Sequence, residues 1–172
     1  KQGLHLRCWQ TSGHGLLDAV GAIAQSCNYY FSEIGWRISQ NNGQYDGEQG
    51  IATIQKYASM FGLGEKTGIE IAESAPHISD EGPIPSSIGQ GTHTYANIHL
   101  SRYVTAIASS GNVYKYSLIS KIQSSGGEVL EEYTPEIVNH VELSQSTWDT
   151  MHDGMEAVVG SDSQHPGTYS EA

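Results

Sequence analysis

The chain is short of positive charge. Its 172 residues include 8 lysines and arginines against 19 aspartates and glutamates, which gives a formal net charge of −11. Proteins that bind nucleic acids depend on clusters of lysine and arginine to contact phosphates. The composition therefore argues against a nucleic-acid partner.

Long apolar runs and cysteines are scarce as well. No apolar stretch reaches the roughly 20 residues that a transmembrane helix needs, and the start of the sequence shows no signal-peptide pattern. The two cysteines, Cys8 and Cys27, permit at most one disulfide, so this is not a small disulfide-stapled domain. The length and the 37% share of hydrophobic residues suit a single domain with its own core.

Apolar residues recur at helical spacing in several segments, and this periodicity predicts α-helices. The predicted helices cover about 15–25, a segment from Tyr29 onward, 51–61 with Gly62 as the stop, 100–111, and 148–158 with Ser144 or Ser146 as the cap.

Alternating and turn-forming residues complete the pattern. Alternation over 116–122 predicts a strand, Gly126-Gly127 predicts a turn, and 129–133 predicts a second strand. The three prolines within 73–87 predict a surface loop.

The tripeptide Ser26-Cys27-Asn28 carries the strongest chemical signal. It stands between two predicted helices and is followed by Tyr29-Tyr30-Phe31, so a hydroxyl and a carboxamide meet at a junction of helices. Such a pair can relay a proton and hold a carbonyl beside a nucleophile. Two plainer interpretations stand beside this one: Ser26 as the N-cap of the second helix, and the three aromatic residues as core packing rather than a substrate platform.

The order of the motifs extends this signal over nearly the whole chain. From about residue 8 onward the sequence resembles the transpeptidase domain of class B penicillin-binding proteins, and it is most similar to the elongation-type branch. The matching segments are 8–15, 26–31, 61–71, 88–91, 103–108 with Gly111, 154–159, and Gly167-Thr168.

The resemblance implies a fold and an activity. The fold would be α+β, the penicillin-binding-protein and β-lactamase-like arrangement of helices packed on an antiparallel sheet. The enzyme would be a serine-type D,D-transpeptidase that cross-links peptidoglycan stem peptides during bacterial cell-wall synthesis through an acyl-enzyme, and it would be a target of β-lactams. Ser26 and Asn28 would be catalytic, and no cofactor would be required.

The resemblance also implies a place in the cell. The parent protein would be anchored in the cell membrane by an N-terminal helix and would work on the extracytoplasmic face. Its partners would include a glycosyltransferase and membrane proteins of cell-shape morphogenesis.

Two of the family's motifs are absent from the sequence. No serine has a lysine three positions later, so the nucleophile motif S-x-x-K is missing, and no K-[ST]-G follows Gly167-Thr168. Residues 1–172 are therefore expected to form part of a transpeptidase domain. Lys66-Thr67-Gly68 spells the third motif, but its setting between 61–65 and 69–71 predicts a helix end entering a short strand, so Lys66 is placed outside the site.

Cys8, His14 and Cys27 offer a candidate zinc site. Thiolates and imidazole are preferred zinc ligands, six residues separate Cys8 from His14, and a helix then returns the chain to Cys27. Some elongation-type members are similar in holding zinc near this motif, with a fourth ligand that would lie elsewhere in the protein. The alternative is that both cysteines act as small buried apolar residues and that His14 is simply hydrogen-bonded.

Two other functions remain open from the sequence. A class D β-lactamase or a β-lactam sensor domain shares the fold, although those families usually carry S-x-V where this chain has Ser26-Cys27-Asn28. A transpeptidase-like scaffold without a nucleophile is the other. The presence of S-x-x-K in the parent protein separates the scaffold from the enzyme.

Overall fold

A computed structural model describes residues 7–160, which fall into two compact units. The first unit is built from 7–55, 79–93 and 143–160, and the second from 56–78 and 94–142. Gly167-Thr168, part of the predicted family match, lies outside the described residues.

Helices provide most of the regular structure. They are α1 (Ala19–Ala24), α2 (Asn28–Ile38), α3 (Gly47–Met60), α4 (Pro83–Ser86), α5 (Asn97–Ala108) and α6 (Gln145–Val159). The strands are β1 (Gln40–Asn41), β2 (Gln44–Tyr45), β3 (Asn112–Tyr114), β4 (Lys121–Gln123), β5 (Val129–Glu132) and β6 (Ile137–His140).

Within the first unit, α1 packs directly against α6 because Gly154 leaves room for it. A Cβ at Gly154 would lie 2.8 Å from Ile23 Cδ1 and 2.9 Å from Ile23 Cβ, closer than real Cβ atoms approach. Asp18 caps the start of α1 by accepting a hydrogen bond from the Gly21 N–H at 2.8 Å. The cap and the close packing together fix where α1 begins and which face it buries.

The first unit also contains a tight hairpin. Strands β1 and β2 are antiparallel, with Gln40 opposite Tyr45, and the turn residues Asn42 and Gly43 both have positive φ, at 50° and 78°. This is the type I′ geometry that an Asn-Gly pair favours. The hairpin leads from α2 into α3.

Two antiparallel strand pairs lie in the second unit. β3 pairs with β6, with Val113 opposite Asn139, and β4 pairs with β5, with Ile122 opposite Glu131. Val113 and the neighbouring Val141 are completely buried, and α5 packs against β3. The α+β character predicted from the resemblance is present, and the described residues form only two-stranded sheets.

A buried arginine holds the segment after α3. Arg102 on α5 is 1% exposed, and its guanidinium donates to the carbonyls of Gly62, Glu65 and Lys66, the last two at 2.8 and 3.0 Å. Burial lowers the pKa of Arg102, an effect that the nearby carboxylates of Glu65 and Glu73 oppose. The cation thus replaces the hydration of three carbonyls at a helix end with fixed hydrogen bonds.

A buried carboxylate completes this network. Glu73 accepts hydrogen bonds from the Thr67 N–H at 2.9 and 3.0 Å, and His99 Nε2 lies 2.8 Å from its Oε1. The other ring nitrogen of His99, Nδ1, accepts a hydrogen bond from the Ala96 N–H at 3.0 Å, so Nε2 is the nitrogen that donates toward Glu73. Burial alone would raise the pKa of Glu73, but the hydrogen bonds from Thr67 and His99 outweigh it and the pKa is lowered.

The structure corrects three predictions of secondary structure. The helix expected over 15–25 begins only at Ala19, because Asp18 caps it and Leu16 is fully exposed. The 73–87 segment contains α4, which Pro83 opens at a position where its missing N–H costs nothing. The strand predicted over 116–122 is wrong except at its end.

Hydrogen bonds to a segment distant in sequence explain the failed strand. The carboxylate of Glu70 accepts hydrogen bonds from the Ser117 hydroxyl and from the Leu118 N–H, the latter at 2.8 Å, and the Tyr116 N–H donates to the Thr67 carbonyl at 3.0 Å. The backbone N–H groups of Tyr116 and Leu118, which a strand ladder would use, are therefore already taken. Pairing therefore starts at Lys121 rather than at Tyr116.

None of the helices within 7–160 combines the length and the apolar character that crossing a bilayer requires.

We predict that Arg102→Met destabilises the protein by about 3 kcal/mol, since it removes a buried charged partner from the buried Gly62 carbonyl and from two partly buried carbonyls. Chemical denaturation monitored by circular dichroism measures the loss. The matched control is Arg37→Met, whose guanidinium sits in an exposed pair with Glu33 at 2.8 Å and should leave stability unchanged. Equal effects of the two changes would contradict the role assigned to Arg102.

Candidate functional site: the Ser26-Cys27-Asn28 turn

The candidate site begins where α1 ends. The Ser26 N–H donates to the Ile23 carbonyl and the Cys27 N–H to the Ala22 carbonyl, both at 3.0 Å. These two bonds are the Schellman motif, in which the residue at the Ser26 position adopts a left-handed backbone. Ser26 accordingly has φ of +48°.

Glycine is the residue that this position normally carries. The same pair of bonds ends α3 at Gly62, where φ is +79°, and ends α5 at Ser110, where φ is +52°. A side chain in the left-handed region costs about 1–2 kcal/mol relative to ordinary backbone. Ser26 therefore occupies a strained position, and strained backbone is frequent at functional sites.

The turn presents the two predicted catalytic side chains. Ser26 is exposed, and Asn28, which is partly buried, is the first residue of α2. Among residues 7–160, neither the Ser26 hydroxyl nor the Asn28 carboxamide has a recorded hydrogen-bond partner. Both groups are therefore available to a molecule bound at this junction.

The alternative role of Ser26 as an N-cap is wrong. Cys27 is the N-cap of α2, with extended backbone and no capping bond from its side chain, and it is 5% exposed. The turn thus alternates an exposed serine, a buried cysteine and a partly exposed asparagine. The buried Cys27 side chain anchors the turn to the core of the first unit.

The aromatic residues after the turn do not all pack in the core. Tyr29 is 59% exposed, which contradicts core packing for this residue, whereas Tyr30 and Phe31 are partly buried and meet edge to face with ring centroids 5.5 Å apart. An exposed tyrosine adjacent to Asn28 offers a flat apolar surface beside the site.

The three candidate metal ligands converge beside the turn. The donor atoms of Cys8, His14 and Cys27 all lie within 4.8 Å of one another. Cys8 Sγ is 3.6 Å from His14 Nδ1 and 3.9 Å from Cys27 Sγ. His14 Nε2 is buried and finds no hydrogen-bond partner among the described residues.

The two thiols differ in their electrostatic surroundings. Burial opposes ionisation of Cys8, but the backbone groups of Gln10, Tyr29 and Asn28 outweigh it and lower the pKa of Cys8. Burial raises the pKa of Cys27, and the neighbouring Cys8 raises it further. A metal cation would favour the thiolate form of both ligands.

A residue that the sequence analysis did not select also contacts the turn. The Trp9 indole N–H donates to the Gln25 carbonyl at 2.9 Å, and its ring meets His14 edge to face with centroids 5.1 Å apart. Gln25 is the last residue before Ser26. The position of Trp9 next to Cys8 was the only signal in the sequence, and it does not reveal a contact 16 residues away.

Lys66 does not share this setting. It belongs to the second unit, where its carbonyl accepts a hydrogen bond from Arg102 at 3.0 Å. The short strand expected after it is not present, since 66–71 contains no strand.

Nearly the whole chain matches one known protein family. The family described as the penicillin binding protein transpeptidase domain matches residues 1–170. The chain belongs to this family. The resemblance to class B members of the elongation type is confirmed.

Individual relatives agree with the assignment. The chain is similar to the peptidoglycan D,D-transpeptidase MrdA of Haemophilus influenzae, with 26% identity over 89% of this chain and 24% of the relative. The chain spans about a quarter of the length of the curated relatives it matches.

Solved structures share the fold. Penicillin-binding protein 2B of Streptococcus pneumoniae superposes with a TM-score of 0.73 at 23% identity, over 88% of this chain and 27% of that one. Penicillin-binding protein 2 of Helicobacter pylori, in a complex with MreC, gives a TM-score of 0.69 at 20% identity, over 94% of this chain and 29% of that one. The predicted fold class is confirmed.

We predict that Ser26→Gly stabilises the protein by about 1 kcal/mol, because glycine adopts the left-handed backbone without a steric cost. Ser110→Gly, at the same position of the α5 end, should stabilise by a similar amount. Ser101→Gly inside α5 is the opposite control and should destabilise, since glycine weakens a helix interior. Denaturant titration measures all three, and a destabilised Ser26→Gly protein would contradict strain at this turn.

Proposed function

We propose that the protein containing this chain is a peptidoglycan D,D-transpeptidase and that Ser26 and Asn28 act in its catalysis. The observation that carries the proposal is an exposed serine in strained left-handed backbone, two residues before an available carboxamide, within a matched transpeptidase domain. Ser110 has the same left-handed backbone at the end of α5, so the proposal depends on the exposed hydroxyl beside Asn28 and on the matched domain rather than on strain alone.

The nucleophile belongs to another segment of the protein in this proposal. An S-x-x-K motif would supply the attacking serine and the lysine that takes its proton, and K-[ST]-G would complete the site. The serine attacks the carbonyl of the penultimate D-alanine, the terminal D-alanine leaves as an amine, and an acceptor amine then takes the acyl group. β-Lactams acylate the same serine.

Ser26 and Asn28 have separate tasks within this scheme. The Ser26 hydroxyl accepts a proton from the lysine side and passes it to the nitrogen of the leaving group, which is general acid-base work. The Asn28 carboxamide donates a hydrogen bond to the carbonyl of the acyl side chain and helps to position the lysine. Both side chains project from one turn, whose backbone hydrogen bonds hold the Cα atoms of Ser26 and Asn28 at a set separation.

The relatives favour this function over the alternatives. The curated relatives are named as penicillin-binding proteins, a sporulation protein and peptidoglycan D,D-transpeptidases, and none of those named is a β-lactamase. We further propose that the parent protein sits at the extracytoplasmic face of the cell membrane and works with a glycosyltransferase and with morphogenesis proteins. The Helicobacter pylori complex with MreC supports a partner of the latter kind.

We expect Ser26→Ala to slow acylation by a labelled penicillin at least about a hundredfold, because proton transfer by a placed group contributes about 10²–10⁴. Asn28→Ala should lower the second-order acylation rate by about tenfold through the lost hydrogen bond. The protein tested is the parent with all its motifs, and its rate constants come from fluorescent-penicillin labelling.

Lys66→Ala is the control for these two variants and should acylate at the wild-type rate. Loss of labelling in Lys66→Ala with normal Ser26→Ala and Asn28→Ala would show that the wrong motif was chosen. An adduct that is released within seconds would favour a β-lactamase, and a wild-type protein that takes no label would favour the non-catalytic scaffold.

We also propose that Cys8, His14 and Cys27 hold a structural zinc ion. Tetrahedral coordination with Zn–S of about 2.3 Å and Zn–N of about 2.0–2.1 Å places two sulfurs about 3.8 Å apart and sulfur and nitrogen about 3.5 Å apart. Two of the three separations fit these values, 3.9 Å between the sulfurs and 3.6 Å between Cys8 Sγ and His14 Nδ1. The third, between His14 and Cys27, lies within 4.8 Å, so an ion would draw these two ligands together. The ion would cross-link the 8–14 segment to the catalytic turn, with a fourth ligand from solvent or from another segment.

Cys8→Ser should therefore abolish bound zinc, which elemental analysis of protein purified without added metal measures directly. His77→Gln is the matched control, since His77 is exposed and belongs to the second unit, and it should leave the zinc content unchanged. A wild-type protein free of zinc, or unchanged zinc in Cys8→Ser, would remove the site and leave Cys27 as a small buried side chain and Cys8 as a half-buried one.

A further inference from the structure

Trp9 is placed to act on the catalytic turn without touching a substrate. Its indole N–H donates to the Gln25 carbonyl at 2.9 Å, and that carbonyl belongs to the peptide that joins Gln25 to Ser26. The orientation of this peptide plane determines φ of Ser26. A hydrogen bond to the carbonyl of this peptide therefore restrains φ of Ser26, the torsion that lies in the left-handed region.

The ring is not buried enough for packing to explain its position. Trp9 is 54% exposed, so about half of its apolar surface remains in water. Its one aromatic neighbour recorded nearby is His14, met edge to face. The directional contact of this side chain is the hydrogen bond to the helix end.

The 8–14 segment contacts the turn on both sides of Ser26. Trp9 binds the carbonyl of the preceding residue, while Cys8 Sγ lies 3.9 Å from Sγ of the following residue, Cys27. The backbone bonds of the Schellman motif fix the N–H groups of Ser26 and Cys27. The Trp9 bond restrains the C=O edge of the Gln25–Ser26 peptide, opposite the N–H edge that the Schellman motif holds.

We propose that Trp9 is a positioning residue for the reaction: its indole hydrogen bond holds Ser26 in the left-handed conformation that aims the hydroxyl for proton transfer. This inference rests on the proposed transpeptidase function for its catalytic part. The contact between Trp9 and the turn stands independently of that function.

The first test is a double-mutant cycle in the parent protein with labelled penicillin. Trp9→Phe keeps an aromatic ring and removes the donor, and it should lower the second-order acylation rate about tenfold. In a Ser26→Ala background the same change should cost less than about twofold, because Trp9 acts through Ser26. Trp36→Phe, on the half-exposed face of α2, should leave the rate unchanged.

The second test does not depend on activity. Hydrogen exchange followed by mass spectrometry on peptides covering 22–28 reports the amides of Ser26 and Cys27. Trp9→Phe should speed their exchange about tenfold, because the turn opens more often without the bond to Gln25. Trp36→Phe should leave it unchanged.

The outcomes separate the two proposals. A wild-type protein that takes no penicillin refutes the proposed function, and the exchange experiment then decides by itself whether Trp9 holds the turn. Normal acylation of Trp9→Phe, or an equal loss in both backgrounds, overturns the positioning role and leaves the transpeptidase function standing. Unchanged exchange at 22–28 overturns the contact itself.

Discussion

The left-handed backbone at Ser26 is the constraint on which the candidate site depends. Two hydrogen bonds, from the Ser26 and Cys27 N–H groups to Ile23 and Ala22, turn the chain sharply at the end of α1. The turn exposes Ser26, buries Cys27 and starts α2 at Asn28. A straight continuation of the helix would rotate these three side chains to different faces and separate the hydroxyl from the carboxamide.

This turn needs a firmly placed helix before it, and α1 has only six residues. An isolated helix of that length has no stability of its own, because nucleation is costly and few bonds repay it. Its stability comes from the Asp18 cap and from close packing of Ile23 against Gly154 on α6. One residue that positions the site, Gly154, is therefore far from it in sequence, and neither Ile23 nor Gly154 carries a reactive group.

The second unit holds a helix end in place by different interactions. There the segment after α3 is held by buried polar groups: Arg102 satisfies three carbonyls, and Glu73 binds the Thr67 N–H and faces His99. Such networks are costly unless every member is paired. Nothing in the periodicity of the sequence identifies these residues, because a buried arginine and an exposed one look the same in a helical pattern.

Sequence alone therefore determined the order of the helices other than α4, the break at Ser26 and the family, since these depend on local periodicity, glycine stops and motif order. It also identified Cys8, His14 and Cys27 as candidate zinc ligands from their residue types and spacing. The tertiary structure decided the rest: that Ser26 ends one helix instead of capping the next, that Glu70 draws 117–118 out of a strand, and that Trp9 reaches Gln25. The last two depend on contacts between segments that are separate in sequence, and the first on which of two adjacent helices receives the turn, and local propensity encodes neither.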